Sequence, residues 1–122
     1  MLKYSDVEEK NNCLVYEIYR RGNIGKLRTA EAYINMKDGD ELFTRVYIGI
    51  IDDTIRDIRK NTGKEVDIKH DWSRLYVELH DDMTKSYMQI CKDALKSAGD
   101  TIIDLYTGYL KQHGHIENCI GW

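Results

Sequence analysis

The stretch Thr84–Gln112, TKSYMQICKDALKSAGDTIIDLYTGYLKQ, constrains this chain more than any other. Tyr87, Cys91, Ala94, Ala98, Ile102, Leu105 and Tyr109 recur at the spacing of one face of an α-helix. Met88, Leu95, Ile102, Tyr106 and Leu110 form a second row that widens the apolar stripe. Lys85, Lys92, Asp93, Lys96, Asp100, Asp104 and Lys111 are expected on the solvent side. Thr84 or Asp82 suits the N-cap, and Lys111 and His113 precede Gly114, a left-handed stop. Gly99 is the weak point, costing about 1 kcal/mol relative to alanine. At 1.5 Å per residue such a helix spans about 43 Å, whereas a globule of this length has a diameter of roughly 35 Å. The helix therefore overhangs its domain or bends. An overhang with a wide apolar stripe predicts a homo-oligomer assembled through this helix.

The rest of the chain alternates between strand and turn signals. Residues 1–11 read as a charged lead-in with a short helical turn after Ser5. Asn12–Arg20 reads as a strand, Arg21–Gly25 as a glycine- and asparagine-rich turn, and Lys26–Met36 as the second arm of a hairpin. In Glu41–Asn61 the β-branched run TRVYIGII favours a strand over 42–51, followed by a helix from Asp53 to about Asn61. Asp52 or Asp53 would cap that helix and Gly63 would end it. A single helix over the segment is the competing reading, because Phe43, Val46, Tyr47, Ile50, Thr54 and Ile58 fit one helical face. Glu65–Asp71 and Arg74–His80 make a second hairpin around His70–Ser73. The tail 113–122 is apolar enough, through Ile116, Cys119, Ile120 and Trp122, to pack back on the domain. The expected architecture is α+β: a mainly antiparallel sheet of four or five strands against one long C-terminal helix and one shorter helix, with 1–122 a single domain and no internal repeat.

Composition bounds the function. A net charge of −3 at pH 7 supplies no field toward nucleic acid, so nucleic acid is an unlikely partner. No run approaches a membrane span, and the N-terminus has no apolar signal segment. Cys13, Cys91 and Cys119 are odd in number and widely spaced, which suits reduced thiols and a cytoplasmic location.

Three groups of residues carry candidate chemistry. Arg20, Arg21, Lys26 and Arg28 gather at the first hairpin's tip, with Tyr16 and Tyr19 along its strand. Arginine forks grip phosphate and tyrosine stacks on a ring, so these six are the expected contacts for a small anionic ligand such as a nucleotide. The same residues also suit an ordinary exposed turn with charged strand edges. His113, His115 and Cys119 form H-x-H-x3-C, a set that can ligate zinc, but with no fourth ligand marked. Asp52, Asp53 and Asp57, with Asp81 and Asp82, could serve magnesium-dependent hydrolysis, or simply cap and solvate helices. No G-x-S-x-G, P-loop or recognisable Cys–His spacing is present, and no cofactor is implied.

The reading that follows is a non-enzymatic binding or inhibitor protein, oligomeric, capturing a protein partner or a small anionic ligand. Richness in Lys, Ile, Asp, Asn and Tyr fits a bacterial or phage origin and a role in sequestration. The alternatives are a metal-dependent hydrolase or nuclease, and a nucleic-acid-binding protein.

Overall fold

The structure is a computed structural model, and it describes residues 6–18, 41–71 and 74–112. The elements are β1 (Val7–Lys10), β2 (Cys13–Glu17), α1 (Glu41–Thr62), β3 (Lys69–Asp71), β4 (Arg74–Glu78) and α2 (Lys85–Gln112). The strands form one antiparallel sheet in the order β1-β2-β4-β3, with the two helices packed against each other and over one face. The chain is thus α+β, as its patterning indicated. No helix among the described residues is long and apolar enough to cross a membrane.

Residues 7–10 are a strand, not a charged lead-in. Lys10 pairs with Cys13 across a two-residue turn in which Asn11 (φ 52°) and Asn12 (φ 59°) are both left-handed. Such a turn matches strand twist, and asparagine tolerates the conformation better than other side chains except glycine. Its polar sequence hid β1, because alternation shows only where one face is buried. Val7 and Glu9 do face the helices: Glu9 accepts an ion pair from Lys92 at 2.9 Å on α2. On the far face, Lys10 and Glu17 form an ion pair. Since Glu8 and Val15 are register partners between them, that pair crosses over their rung and helps leave Val15 only 4% exposed.

Residues 41–62 form one continuous helix, overturning the expected strand over 42–51. Tyr47, Ile51, Thr54 and Ile58 lie on one helical face and are all buried, and this periodicity outweighs β-branched content. The Thr54 hydroxyl donates to the Ile50 carbonyl at 2.7 Å, which satisfies it within the helix. Asp52 and Asp53 are therefore mid-helix residues and not caps. Gly63 ends α1 as expected, with φ +70° and its N–H on the Arg59 carbonyl at 2.8 Å. At the start of α2, Thr84 is the cap: the Tyr87 N–H donates to its hydroxyl at 3.1 Å.

The near face of the sheet presents Leu14, Tyr16, Leu75 and Val77, all buried, to Tyr87, Cys91, Leu95, Ala98, Ile102 and Ile103 of α2 and to α1. Gly99 is where the two layers come closest. The Tyr16 ring lies against it so tightly that any Cβ there would collide with Cδ1, Cε1 and Cζ of the ring. The Tyr16 hydroxyl then donates to Asp100 Oδ1 at 2.6 Å, and Lys96 bonds Asp100 Oδ2 at 3.2 Å. Lys92, Lys96 and Asp100, expected on the solvent side, instead form a polar seam with β1 and β2.

The backbone carries a repeat that the side chains conceal. Among the described elements, β1-β2-α1 and β3-β4-α2 are each a two-stranded hairpin followed by a helix, and in both hairpins two residues separate the closing pair. β2 and β4 meet antiparallel about the Val15–Tyr76 rung, as two units related by a two-fold axis would. Tyr47, Ile51 and Ile58 of α1 and Tyr87, Cys91 and Ala98 of α2 are buried at the same spacing.

Gly99→Ala is expected to destabilise the fold by about 1–3 kcal/mol from overpacking, despite alanine's better helix propensity. In a Tyr16→Leu background the same change should be neutral or stabilising in urea unfolding; an equal loss in both backgrounds would exonerate the ring. Asn11→Val should cost about 1–2 kcal/mol by forcing a β-branched residue into the left-handed region, read from the thermal midpoint.

Candidate functional site

The β4-to-α2 connection is short, residues 79–84, and folds tightly. Leu79 N–H bonds the Asn12 carbonyl at 2.9 Å, and Met83 N–H bonds the His80 carbonyl at 3.0 Å. Beside it the chain approaches β3 through 65–68, an irregular segment that shares no ladder with β4. The space between these two passages is a cleft of about 280 Å³ lined by Glu65, Val66, Asp67, Lys69, Val77, Glu78, His80 and Tyr87. Its apolar surface is Val66, Val77 and the Tyr87 ring. Its rim is ionisable.

Two rim residues are committed to each other. Lys69 pairs directly with Tyr76, so Glu78 lies on its diagonal, and Lys69 Nζ meets Glu78 Oε1 at 2.5 Å. That hydrogen bond, with the attraction of opposite charges, lowers the Glu78 carboxyl below its ordinary 4.5 and raises the Lys69 ammonium above 10.5. A lowered carboxylate contributes above its ordinary value and loses the contribution as pH falls through the folded value. A raised ammonium contributes below its ordinary value and loses it as pH rises through the folded one. The pair is therefore intact across the neutral range, although both side chains are exposed and its effect on stability is small.

The other rim groups are less tied. Glu65 is held by Arg59 at 3.4 Å. Asp67 lies near enough to Lys69 to add to the rise in its pKa without bonding to it. His80 sits near Glu78 and helps to lower it. Tyr87 is 8% exposed, its hydroxyl reaches the Glu65 carbonyl at 3.4 Å, and Lys64 Nζ lies 5.4 Å from its ring centroid. Burial pushes the Tyr87 phenol upward, with Cys91 beside it adding to the shift. Burial likewise raises the Cys91 thiol, against the opposing hydrogen bond from Tyr87.

The residues singled out from sequence fare differently. Arg20, Arg21, Lys26, Arg28 and Tyr19, and the strand 26–36, lie outside the described residues, as do His113, His115, Cys119, Trp72 and Trp122. Tyr16, expected to stack on a ligand, is instead 0% exposed, with its ring on Gly99 and its hydroxyl on Asp100. Its alternating position in a strand marks burial, and burial was the stronger inference. Asp52, Asp53 and Asp57 are exposed on α1, with Asp53 paired to Arg56 at 3.3 Å. Asp81 and Asp82 are exposed in the turn before α2. Among the described residues no three His, Cys, Asp or Glu side chains are grouped to hold a metal ion. The His70 and Tyr47 rings meet tilted at 59°, with centroids 5.3 Å apart, which ties α1 to β3.

The cleft itself was invisible in sequence. Lys69 and Glu78 become neighbours only through hairpin register, and Tyr87 reads as one more core position of α2. The exposed Val46 and Ile48 make no competing site: two residues apart on a helix, they project from opposite flanks of α1.

Cys91, buried and with a raised thiol, should resist alkylation in the folded protein and become labelled only on unfolding. Cys13, half-exposed, should label first. Peptide mapping after timed iodoacetamide exposure distinguishes the two, and rapid native labelling of Cys91 would contradict its placement.

No protein-family model matches this chain, and no curated protein or solved structure matches it.

Proposed function

We propose that this is a binding protein, not an enzyme, that captures a small polar ligand or a side chain of a partner protein in the cleft beside α2. One observation carries the reading: the cleft joins an aromatic ring, two valines and a charged rim, with no hydrogen bond from the Asp67 carboxylate or the His80 imidazole to a described side chain. Apolar surface with a few convergent polar groups is the usual chemistry of a binding site. Catalysis by a nucleophile would need such a group beside a base, and Cys91, the one thiol near the cleft among the described residues, lies behind Tyr87 with its thiolate disfavoured.

Self-association through α2 belongs to the same proposal. At 1.5 Å per residue α2 is about 42 Å long; among its described side chains the buried ones run from Tyr87 to Ile103, and the helix continues to Gln112. Gly108, in the part beyond, has open space where a side chain would stand. That stretch is the surface proposed to meet a second copy. Anion capture by Arg20, Arg21, Lys26 and Arg28 with Tyr19 is a separate proposal, supported by residue chemistry alone.

Native mass spectrometry of freshly purified protein, before and after denaturation, tests both readings. An oligomer releasing a small-molecule mass is the expected result, and a phosphate-bearing mass would assign capture to the arginines. A bare monomer that also shows no partner in crosslinking would count against binding and self-association together.

A further inference from the structure

We infer that the cleft is selective for organic cations, namely an alkylammonium or guanidinium group, whether on a free amine or on a lysine or arginine of a partner. The inference rests on the binding reading above and specifies its ligand.

Charge is the first reason. Glu65, Asp67, Glu78 and Lys69 line the cleft; Lys69 is bound to Glu78 and Glu65 to Arg59, which leaves Asp67 as the lining carboxylate without a bonded partner among the described residues. An anion entering the cleft would meet carboxylates and a spent ammonium. A cation would meet Asp67, which has no bonded partner among the described residues, and the outer oxygens of Glu78. Shape is the second reason. Val66 and Val77 offer alkyl contact for a methylene stem, and Tyr87 supplies an aromatic ring whose electron-rich face attracts cations. The Lys64 ammonium stands 5.4 Å from the Tyr87 ring centroid, so the ring accepts a cation, and an entering ammonium competes with Lys64 for it. Carboxylate, aromatic face and alkyl wall together are what an ammonium on a carbon chain recognises, and a compact hydrated metal ion has no use for the last two.

The sign of one substitution decides the class. Lys69→Gln removes the positive charge from the rim and frees Glu78, so it should tighten a cation roughly three-fold or more and weaken an anion. Asp67→Asn should weaken a cation by a similar factor. Lys69 and Asp67 are exposed, so both variants fold. The titrants are putrescine, an acetylated and amidated Gly-Lys-Gly peptide, its arginine counterpart, and inorganic phosphate as the anion, followed by amide chemical shifts of Val66, Asp67, Glu78 and Tyr87. Saturable shifts with the amines, tightened by Lys69→Gln and weakened by Asp67→Asn, support the inference. Preference for putrescine indicates a free amine; preference for a peptide indicates a partner's side chain. Phosphate binding that Lys69→Gln weakens, without amine binding, overturns the cation class while leaving the cleft as a binding site. No shift with any titrant removes the cleft as a site altogether.

Discussion

The contact on which the rest of the fold depends is the Tyr16 ring against the backbone of Gly99. It sets how close α2 can approach the central strand, and it works only because position 99 has no side chain. A glycine inside a long helix is unfavourable by about 1 kcal/mol relative to alanine. The cost is offset because a fully buried aromatic ring fills the space, and burying such a ring is worth about 1.5–3 kcal/mol. The tyrosine is not interchangeable with phenylalanine, because its hydroxyl ends on Asp100, which Lys96 also holds. Those two residues, with Lys92 and Glu9, extend the contact into the seam that secures β1 along α2. A strand as polar as VEEK has little apolar surface to bury, and ion pairs to a helix take over part of its anchoring.

This arrangement explains which parts of the fold were legible from residues alone. The α2 stripe, its Thr84 cap, the β3–β4 hairpin and the α+β class follow from periodicity and turn chemistry, because each is a local property. β1 was missed since Val7 is its one apolar residue, and so polar an alternation carries no signal. The 42–51 segment was misread because β-branched residues and a glycine suggest a strand locally, while the buried set Tyr47, Ile51, Thr54 and Ile58 is a tertiary fact. Tyr16 shows the same conflict at the level of function. An aromatic beside arginines invites a stacking role, yet its partner Gly99 is remote in sequence and its burial appears only when the layers meet. The cleft was wholly illegible, being made by register across one hairpin and the placement of a helix beside it.

The repeated ββα plan also went unseen in sequence, and for a physical reason. Equivalent positions need only equivalent burial, so Val15 can stand opposite Tyr76, and Ile51 can match Cys91, with no shared identity. What the two units hold in common is two-residue hairpins and the spacing of core residues on each helix. They part company at the connection from the inner strand to its helix. In the second unit that connection is residues 79–84, compact and internally hydrogen-bonded; in the first, residues 19–40 lie outside the described residues.

That divergence falls where chemistry is most readily added without disturbing a core. The short connection of the second unit borders the cleft, and it contributes His80 from the rim while α2 contributes Tyr87. The long connection of the first unit contains Arg20, Arg21, Lys26 and Arg28. A duplicated scaffold would present two alike sites if both connections were alike. The pairing of Lys69 with Glu78 occupies both charges at that rim, as Arg59 occupies Glu65, and leaves Asp67 as the carboxylate of the lining with no bonded partner among the described residues.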